Sequence, residues 1–393
     1  MKKKVSDIIA FAPNPWNGPW MSRQQILSRL ANRGWNVIYS NGAFNICNKD
    51  SLQSKESSWL NRWTKVDGVH IVQSGKLFPR WQRLGFWDKF AVNNHVNSLI
   101  KAKGHTKLIN ADTIIYIFNP IFYPYIPKRR DCKIVYHIHD AYSLYPNWNK
   151  NNNKIENELI DRADTIIALT EEMARVQLKN KDKTTNIVPC GVDFDKFIEG
   201  NKQNCPDDLD AIPRPRIGYI GHVNEKVDLT LVADMAKRCP NWHWVFVGKV
   251  SPKLERKNRI DNYSLNGWLN CQNEPNIHFL GEKNHLDLPT YMANMDINTM
   301  CYRYHDYGWW KAIYPLKLHE YLAVGKPVVS TDLAAVRPFA DVIDIAKTLE
   351  EWITAIRKGL QGGIGTVHDR QKIAMQNSWE QRVDKIEKII KFL

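Results

Sequence analysis

The chain lacks any apolar run long enough to cross a membrane. A transmembrane helix needs about 20 consecutive apolar residues, and no stretch of the 393 residues approaches that length. The N-terminus opens with lysines, but Asp7 precedes the apolar run Ile8–Ala12, which is too short for the core of a signal peptide. We interpret this run as a first β-strand and predict a cytoplasmic protein.

Cysteine is sparse and forms no recognisable pattern. The seven cysteines are scattered and odd in number, with no CxxC and no Cys–His group at the spacing of a metal site. We therefore expect reduced thiols that pack in the interior, and no cofactor. The acidic run Asp207–Asp210 resembles a metal-binding DxD motif, but its surroundings are rich in proline and asparagine. We interpret it as a solvated acidic turn.

Acidic residues are scarce in the first 110 residues. This part of the chain holds 17 Lys or Arg against five Asp or Glu, an excess that accounts for most of the formal charge of +14. Such asymmetry indicates an anionic partner. Nucleic acid, a membrane surface and a phosphorylated substrate all fit this description.

Strand-like apolar runs alternate with helical patterns along the whole chain, which predicts parallel sheets with crossover helices. The pattern restarts beyond a stretch rich in Pro, Asn and Asp at 198–216. We therefore predict an α/β fold with two doubly wound, Rossmann-like domains, at 1–195 and 196–375. A helix within 376–393 is expected to follow and to cross back to the first domain. Ligands of such folds bind beyond the carboxyl ends of the strands, here in a cleft between the domains.

The segment Tyr314–Thr331 predicts a helix followed by a buried strand. Pro315 suits the first helical position and Gly325 the helix end. Lys317 and Glu320 stand three residues apart, so they share one face of the helix start. Beside the free N–H groups of a helix N-terminus, this pair can bind a diphosphate and the hydroxyls of a ribose. An exposed Lys–Glu pair is the alternative.

Two other predicted strands end in a glycine that is followed by basic residues. The first leads into Gly221, His222 and Lys226, and the second into Gly248 and Lys249. A glycine at this place lets a ligand approach the backbone, and the basic residues suit a diphosphate. Taken alone, each segment fits a polar turn with an exposed lysine better.

A third strand, around Phe279 and Leu280, ends at Gly281, where a nucleobase can stack and bond to the backbone. The apolar residues of the helix expected after it are interpreted as core. They are Leu286, Leu288, Tyr291 and Met292.

Together these segments resemble the GT-B glycosyltransferases of family 4, and in particular the bacterial transferases of teichuronic acid type. The segments that carry the resemblance are GVDFDKF (191–197), IGYIGHVNEKVDL (217–229), WVFVGK (244–249), NIHFLGEKNHLDLPTYM (276–292) and PLKLHEYLAVGKPVVST (315–331). The resemblance implies a GT-B fold, a nucleoside-diphosphate-sugar donor and a donor-binding second domain.

The resemblance also implies roles for individual residues. His222, in place of the usual arginine, and Lys226 match the residues that bind the donor diphosphate. Glu320 matches the second glutamate of the E-x7-E motif, a ribose ligand, whereas the first glutamate would fall at Ala312. Lys317 matches a lysine that contacts phosphate in relatives reading PLK. The predicted donor-binding set is completed by Gly221, Gly248, Lys249, Phe279, Leu280 and Leu318.

In the first half, the segment VYHIHDAY (135–142) resembles the family through His139 and Asp140. In the family, the histidine that His139 matches lies close to the transferred sugar. A hydrogen-bonded structural histidine is the alternative. The loop 13–20 matches the glycine loop on the acceptor side and predicts Trp16, Asn17 and Gly18 there, unless its prolines simply make a rigid turn. The residues Tyr304, His305, Asp306 and Trp309 either bind the donor sugar or form an ordered loop.

The predicted chemistry follows from the leaving group. A nucleotide-sugar bond breaks when the departing diphosphate is stabilised, and Lys226, Lys317 and helix N-termini can do this without a metal. We predict His139 and Asp140 as the other catalytic residues. Retention of configuration is expected from the family, with Asp140 as a base if the enzyme inverts.

Basic and aromatic residues alternate in the segment 58–90, named here the basic–aromatic segment. This mixture suits an anionic membrane surface, single-stranded nucleic acid, or a core helix with a solvated basic face. With the donor motifs in the second half, we predict a membrane that carries a lipid-linked or polysaccharide acceptor, and hence a peripheral glycosyltransferase on the inner face of the plasma membrane. A nucleotide-sugar epimerase and a nucleic-acid-binding protein are the alternatives.

Overall fold

The computed structural model describes residues 7–18, 20–46, 58–101, 111–128, 131–179, 181–256, 260–304 and 308–393. The chain divides into two units, Met1–Pro189 with Arg382–Leu393, and Cys190–Gln381. Each unit is built on its own mainly parallel sheet, which confirms the predicted α/β class with two Rossmann-like domains. No helix in these described ranges combines the length and the apolar character needed to span a bilayer.

The described residues of the first unit form eight strands. They are β1 (Asp7–Phe11), β2 (Asn36–Ser40), β3 (Arg62–Val66), β4 (Val69–Gln73), β5 (Thr113–Ile117), β6 (Lys133–Ile138), β7 (Thr165–Ala168) and β8 (Thr185–Ile187). The order across the sheet is β3-β4-β2-β1-β5-β6-β7-β8, and all neighbours are parallel except the β3–β4 pair. The helices are α1 (Ser22–Asn32), α2 (Gly85–Lys101), α3 (Lys150–Arg162) and α4 (Glu171–Leu178). The central strands are solidly apolar because helices cover both faces of such a sheet.

The second unit contains six strands, all parallel, in the order β11-β10-β9-β12-β13-β14. They are β9 (Arg216–Ile220), β10 (His243–Val247), β11 (Ile277–Phe279), β12 (Ile297–Met300), β13 (Val328–Thr331) and β14 (Asp344–Ala346). The helices are α5 (Phe194–Glu199), α6 (Asp207–Asp210), α7 (Leu229–Arg238), α8 (Pro252–Glu255), α9 (Asn262–Asn273), α10 (Leu288–Ala293), α11 (Lys317–Ala323), α12 (Leu349–Leu360) and α13 (Val367–Gln376). The carboxyl ends of β9, β10 and β12 therefore lie at one edge of this sheet.

The last helix, α14 (Trp379–Lys391), begins in the second unit, and from Arg382 onward it counts with the first. There Arg33 pairs with Asp384 at 2.6 Å and with Glu387 at 3.2 Å. The indole N–H of Trp35 donates to Glu387 at 2.9 Å. These polar contacts hold the end of the chain on the turn that follows α1.

The acidic run Asp207–Asp210 is solvated as predicted, since its three aspartates are exposed, and it forms the short helix α6. Its Asp208 binds Lys283 at 2.6 Å and the Tyr291 hydroxyl at 2.7 Å. One prediction about the helix expected after β11 is corrected. Leu286 is not core, because it precedes α10 and is 71% exposed. Tyr291 and Met292 are buried as predicted.

The helix α11 begins slightly later than predicted. Lys317 is its first residue, so Pro315 lies two positions outside it. The Pro315 carbonyl still accepts a hydrogen bond from the Leu318 N–H at 3.2 Å. Gly325 follows the helix with a φ of +77°, the left-handed conformation that ends many helices.

Candidate functional site

The carboxyl edge of the second sheet is shaped by two glycines. Gly221 follows β9 with a φ of +144°, and a Cβ atom built on it would lie 2.6 Å from the Lys317 Nζ. Gly248 follows β10 with a φ of +147°, and a Cβ there would collide with the Gly221 carbonyl oxygen. These close approaches require glycine at both positions, because any side chain would push Lys317 or the neighbouring backbone away.

Lys317 and Lys226 both lie against a group of aromatic rings. The Lys317 Nζ lies 3.9 Å from the centre of the Tyr219 ring and 5.7 Å from that of Tyr302. The Lys226 Nζ lies 5.5 Å from the Tyr302 ring centre and 5.7 Å from that of Trp309. Such contacts with ring faces are favourable for an ammonium group, and they hold two amines close to the end of β9.

Each of the two amines makes a positive charge on the other less favourable. Burial, and then the charge of Lys226, lower the pKa of Lys317 well below its usual value. Burial and the same lysine also lower the pKa of His222. Glu320 is the acidic group that acts in the opposite direction on Lys317. The edge of the sheet is therefore rich in positive charge that is only partly solvated, which is the environment in which an anionic ligand is stabilised most.

Glu320 lies within the first turn of α11 and is half-buried. Burial raises its pKa to about 7, while Lys317 and Lys196 oppose this shift. Lys196 comes from α5, and its ammonium donates to the His285 Nδ1 at 2.7 Å. Neither Lys196 nor His285 was singled out from the sequence, although both lie inside the quoted motifs. A basic residue at the start of a helix was the signal that could have drawn attention to Lys196.

The loop that carries Lys226 is fixed on the end of β12. The Arg303 N–H donates to the Lys226 carbonyl at 2.9 Å, and the Asp228 N–H donates to the Cys301 carbonyl at 2.8 Å. The Arg303 side chain is buried, pairs with Asp261 at 3.0 Å, and lies over the rings of Tyr263 and Trp310. Arg303 therefore holds this loop on the end of β12, and no sequence pattern indicated this role.

The remaining predicted donor residues fall into different environments. Lys249 is exposed just after β10. The Phe279 ring stacks on Phe246 at 4.9 Å and meets Trp268 edge-on at 4.9 Å. Leu280 is half-buried and its N–H donates to the Phe246 carbonyl. The Leu318 side chain is fully buried, so a contact of this residue with the donor would have to come from its backbone.

In the first unit, His139 follows β6 and is buried. Its Nδ1 lies 3.1 Å from the Ser22 Oγ, and its ring lies 4.2 Å from that of His137. Burial, followed by His137 and Arg23, lowers the pKa of His139 well below its usual value, so the ring is neutral at pH 7. Within the described residues its Nε2 is buried without a hydrogen-bond partner. Asp140 is half-buried beside it.

The loop before α1 carries the predicted acceptor-side residues. Trp16 is 4% exposed and its ring packs edge-on against Tyr39 at 5.0 Å. Asn17 is exposed and Gly18 is half-buried. Arg23, in the first turn of α1, is buried and donates to the Asn14 Oδ1 of this loop at 2.7 Å. The acceptor-side role of Trp16, Asn17 and Gly18 stays a prediction.

In the segment expected to bind the donor sugar, Tyr304 is half-buried and Trp309 lies beside Lys226. His305 and Asp306 lie outside the described residues.

Two family models match the chain. The model described as Glycosyltransferase Family 4 matches residues 17–196, and the model described as Glycosyl transferases group 1 matches residues 214–360. The teichuronic acid biosynthesis glycosyltransferase TuaH of Bacillus subtilis is 30% identical over 239 residues. That alignment spans 57% of this chain and 56% of TuaH, so the chain matches little more than half the length of this relative.

Solved structures share the architecture over nearly the whole length. Sucrose-phosphate synthase from Thermosynechococcus elongatus has a TM-score of 0.71 with 14% identity, and 98% of each chain is covered. HepE of Anabaena, in complex with UDP, has a TM-score of 0.69 with 16% identity, and 99% of this chain and 100% of HepE are covered. At these identities the likeness is one of fold.

Proposed function

We propose that this chain moves a sugar from a nucleoside-diphosphate donor to a lipid-linked or polysaccharide acceptor of the bacterial cell surface. The chain belongs to the GT-B glycosyltransferases, with a family 4 module in its first half and a group 1 module in its second. The predicted family resemblance is confirmed by these matches. The choice of donor and acceptor is our proposal, supported by the chemistry of the site and by the relatives.

The convergence of Lys226 and Lys317 on the Tyr302 ring carries the donor part of the proposal. A diphosphate between these amines would receive charge-assisted hydrogen bonds and relieve their mutual repulsion. As the glycosidic bond breaks, negative charge grows on that diphosphate, and fixed positive groups stabilise it without a metal. The Glu320 carboxylate would accept hydrogen bonds from the ribose hydroxyls. UDP is the first nucleotide to test, since HepE was crystallised with it.

His139 and Asp140 are proposed to act on the transferred sugar. The neutral His139 ring has an unpartnered Nε2 among the described residues, and a sugar hydroxyl would satisfy it. This role requires only a hydrogen bond to the sugar and no covalent bond between the sugar and a neighbouring residue. We propose retention of configuration, as expected from the family, with Asp140 as the base should the products show inversion.

The acceptor is proposed to lie at a membrane surface that binds the basic–aromatic segment. Several of its large apolar side chains are exposed, including Trp59 at 73% and Phe86 at 76%. Lys89 and Arg83 are exposed among them, whereas Arg80 pairs with Asp88 at 2.7 Å and supports the local fold. Aromatic and basic side chains together suit the anionic inner face of a plasma membrane, so we propose a cytoplasmic, peripheral enzyme.

The donor site is tested by calorimetric titration of UDP into the wild type and into Lys317→Met. Losing a charge-assisted contact to phosphate weakens binding by about 10- to 100-fold. The same substitution removes a buried amine from an apolar site, so the thermal stability of the free protein is expected not to fall. Lys237→Met, on the far end of α7, is the matched control and keeps wild-type affinity. Equal UDP binding by Lys317→Met would refute the assignment.

A further inference from the structure

The first unit contains a cavity that the donor chemistry does not use. Its volume is about 130 Å³, room for roughly four water molecules. The cavity lies where β2 and β4 end, since Ala43 follows β2 and Ser74 and Gly75 follow β4. Asn94, His95 and Ser98 of α2 form the opposite wall.

The walls of this cavity are firmly held. The Gly75 N–H donates to the Asn61 Oδ1 at 2.8 Å, and a Cβ at Gly75 would collide with the backbone of Trp59 and Leu60. The Leu77 N–H donates to the Trp59 carbonyl at 3.1 Å. Two backbone segments thus pack directly on one another, and the aromatic and aliphatic side chains of Trp59, Leu60, Leu77 and Phe78 surround the entrance.

Polar, uncharged side chains stand among the apolar residues that line the cavity. The Ser74 Oγ is buried, and within the described residues it has no hydrogen-bond partner. His95 is buried with its Nε2 2.7 Å from the Ser40 Oγ, and burial lowers its pKa to about 4, so it is neutral at pH 7. No Asp, Glu, Lys or Arg of the described chain lines the cavity. Although this part of the chain is strongly basic, the cavity itself offers no charged side chain. It therefore favours a neutral ligand that bears hydroxyl or amide groups.

The position of the cavity separates it from the proposed reaction centre. In the first sheet β2 lies three strands from β6, which carries His139 at its end, and β4 lies four strands away. Neighbouring strands are about 4.8 Å apart, so the cavity lies roughly 14–19 Å along the sheet edge from the end of β6. A ligand in the cavity is therefore not the sugar that reacts.

We propose that this cavity is a subsite for a neutral sugar unit of the acceptor glycan, remote from the unit that receives the transferred sugar. The proposal rests on the proposed glycosyltransferase function. The apolar entrance offers a surface for the C–H face of a sugar ring, and Ser74 and Asn94 offer hydrogen bonds to its hydroxyl or acetamido groups. The entrance also lies within the basic–aromatic segment, so a glycan that emerges from a lipid carrier would pass it.

The proposal is tested by saturation-transfer NMR on the full-length protein, with glucose, N-acetylglucosamine and glucuronate as probes. Both neutral sugars are expected to bind the wild type, and the charged glucuronate to bind less. Ser74→Ala is expected to weaken binding by about three- to tenfold, as for one lost hydrogen bond. Asn94→Phe, which fills the cavity, abolishes it, whereas Asn93→Phe, exposed on the same helix, is the matched control and binds like the wild type.

Thermal unfolding and UDP titration of the same variants separate the possible outcomes. Ser74→Ala removes a buried hydroxyl without a partner, so its stability is expected not to fall. Normal UDP binding with no neutral-sugar signal, or an unchanged signal in Asn94→Phe, overturns the subsite alone. Glucuronate binding as strongly as glucose, or displacement of the sugar by an octyl-chain detergent alone, overturns the ligand class. Sugar binding without any UDP binding defeats the proposed function, and the acceptor role of the cavity with it.

Discussion

At the scale of single residues, the donor site combines features that are costly in the free protein. Lys317 is buried beside a second amine, and Glu320 is half-buried with its pKa raised to about 7. Both shifts mean that the free site favours the neutral form of each side chain. A bound nucleoside diphosphate would favour the charged forms, so donor binding and proton binding should be linked.

We therefore predict that UDP binding changes the protonation of the site in a pH-dependent direction. At about pH 8 Glu320 is already mostly ionised, and a diphosphate raises the pKa of Lys317, which changes the protonation of the site only in the direction of proton uptake. At about pH 6 ribose hydroxyls that favour the Glu320 carboxylate make it release a proton, which opposes this uptake. Calorimetry in buffers of different ionisation enthalpy measures the net number of protons.

Glu320→Gln isolates the two contributions. The variant retains a side chain of similar size but cannot release a proton, so the difference from the wild type should be present at about pH 6 and small at about pH 8. Protons bound by UDP itself cancel in this comparison. A wild type and variant that take up equal numbers of protons at both pH values would contradict the role given to Glu320.

The sequence predicted the residues whose chemistry is local and missed those that depend on distant contacts. Gly221, Lys226 and Lys317 each stand at a strand end or a helix start, which a pattern of glycine and basic residues indicates. Arg303 contributes through Asp261, which lies 42 residues away. Lys196 contributes through His285, which lies 89 residues away. The burial of Trp16 was likewise not predicted, because its neighbour in space, Tyr39, belongs to a different element.

At the scale of elements, the alternation of strands and helices could be predicted because most central strands are uniformly apolar. The pair β3–β4 was not predicted. All five residues of β3 are exposed, because it lies at the edge of the sheet and pairs only with β4. Such a strand has no apolar run, and only the antiparallel pairing identifies it.

Three elements of the first unit meet at one buried carboxyl group. Glu156 of α3 accepts hydrogen bonds at 2.6 Å from the Tyr136 hydroxyl of β6 and from the Gln177 amide of α4. Burial raises its pKa to about 7, above the value of 4.5 expected for an exposed glutamate. Because the unfolded chain ionises more readily, this group lowers the stability of the fold progressively as the pH rises from about 4.5 to about 7.

We predict that Glu156→Gln relieves this loss and retains the hydrogen bonds to its Oε1. Its stability relative to the wild type should rise between about pH 4.5 and pH 7, by at most about 3 kcal/mol, and then stay constant. Urea unfolding at a series of pH values measures this difference. Glu158→Gln on the same helix controls for the change in helix charge. A difference that does not depend on pH would show that the carboxyl is not buried as described.

At the scale of the whole molecule, positive charge and exposed aromatic side chains occur in the same part of the chain. The first 110 residues hold most of the excess of basic residues. The rings of Phe78 and Phe90 are in contact at 5.7 Å, and Phe86 stands one helical turn before Phe90 on α2. Several exposed rings therefore stand close together on the chain beside basic side chains, which is unusual for a surface that faces only water.

This combination predicts binding to vesicles of phosphatidylcholine that contain phosphatidylglycerol, and weaker binding to phosphatidylcholine alone. The double variant Trp59→Ser/Phe86→Ser should bind the anionic vesicles at least about tenfold more weakly, because each ring contributes on the order of 2 kcal/mol when it leaves water. Phe392→Ser is the matched control, since Phe392 is 90% exposed but lies at the end of the chain, outside this segment. Raising the salt concentration should weaken the binding of the wild type only in part, because screening acts on the lysines and arginines and not on the rings. Sedimentation of the protein with vesicles measures the effects of lipid composition, of the substitutions and of salt. Equal sedimentation of the double variant and the wild type would show that the aromatic surface serves another purpose.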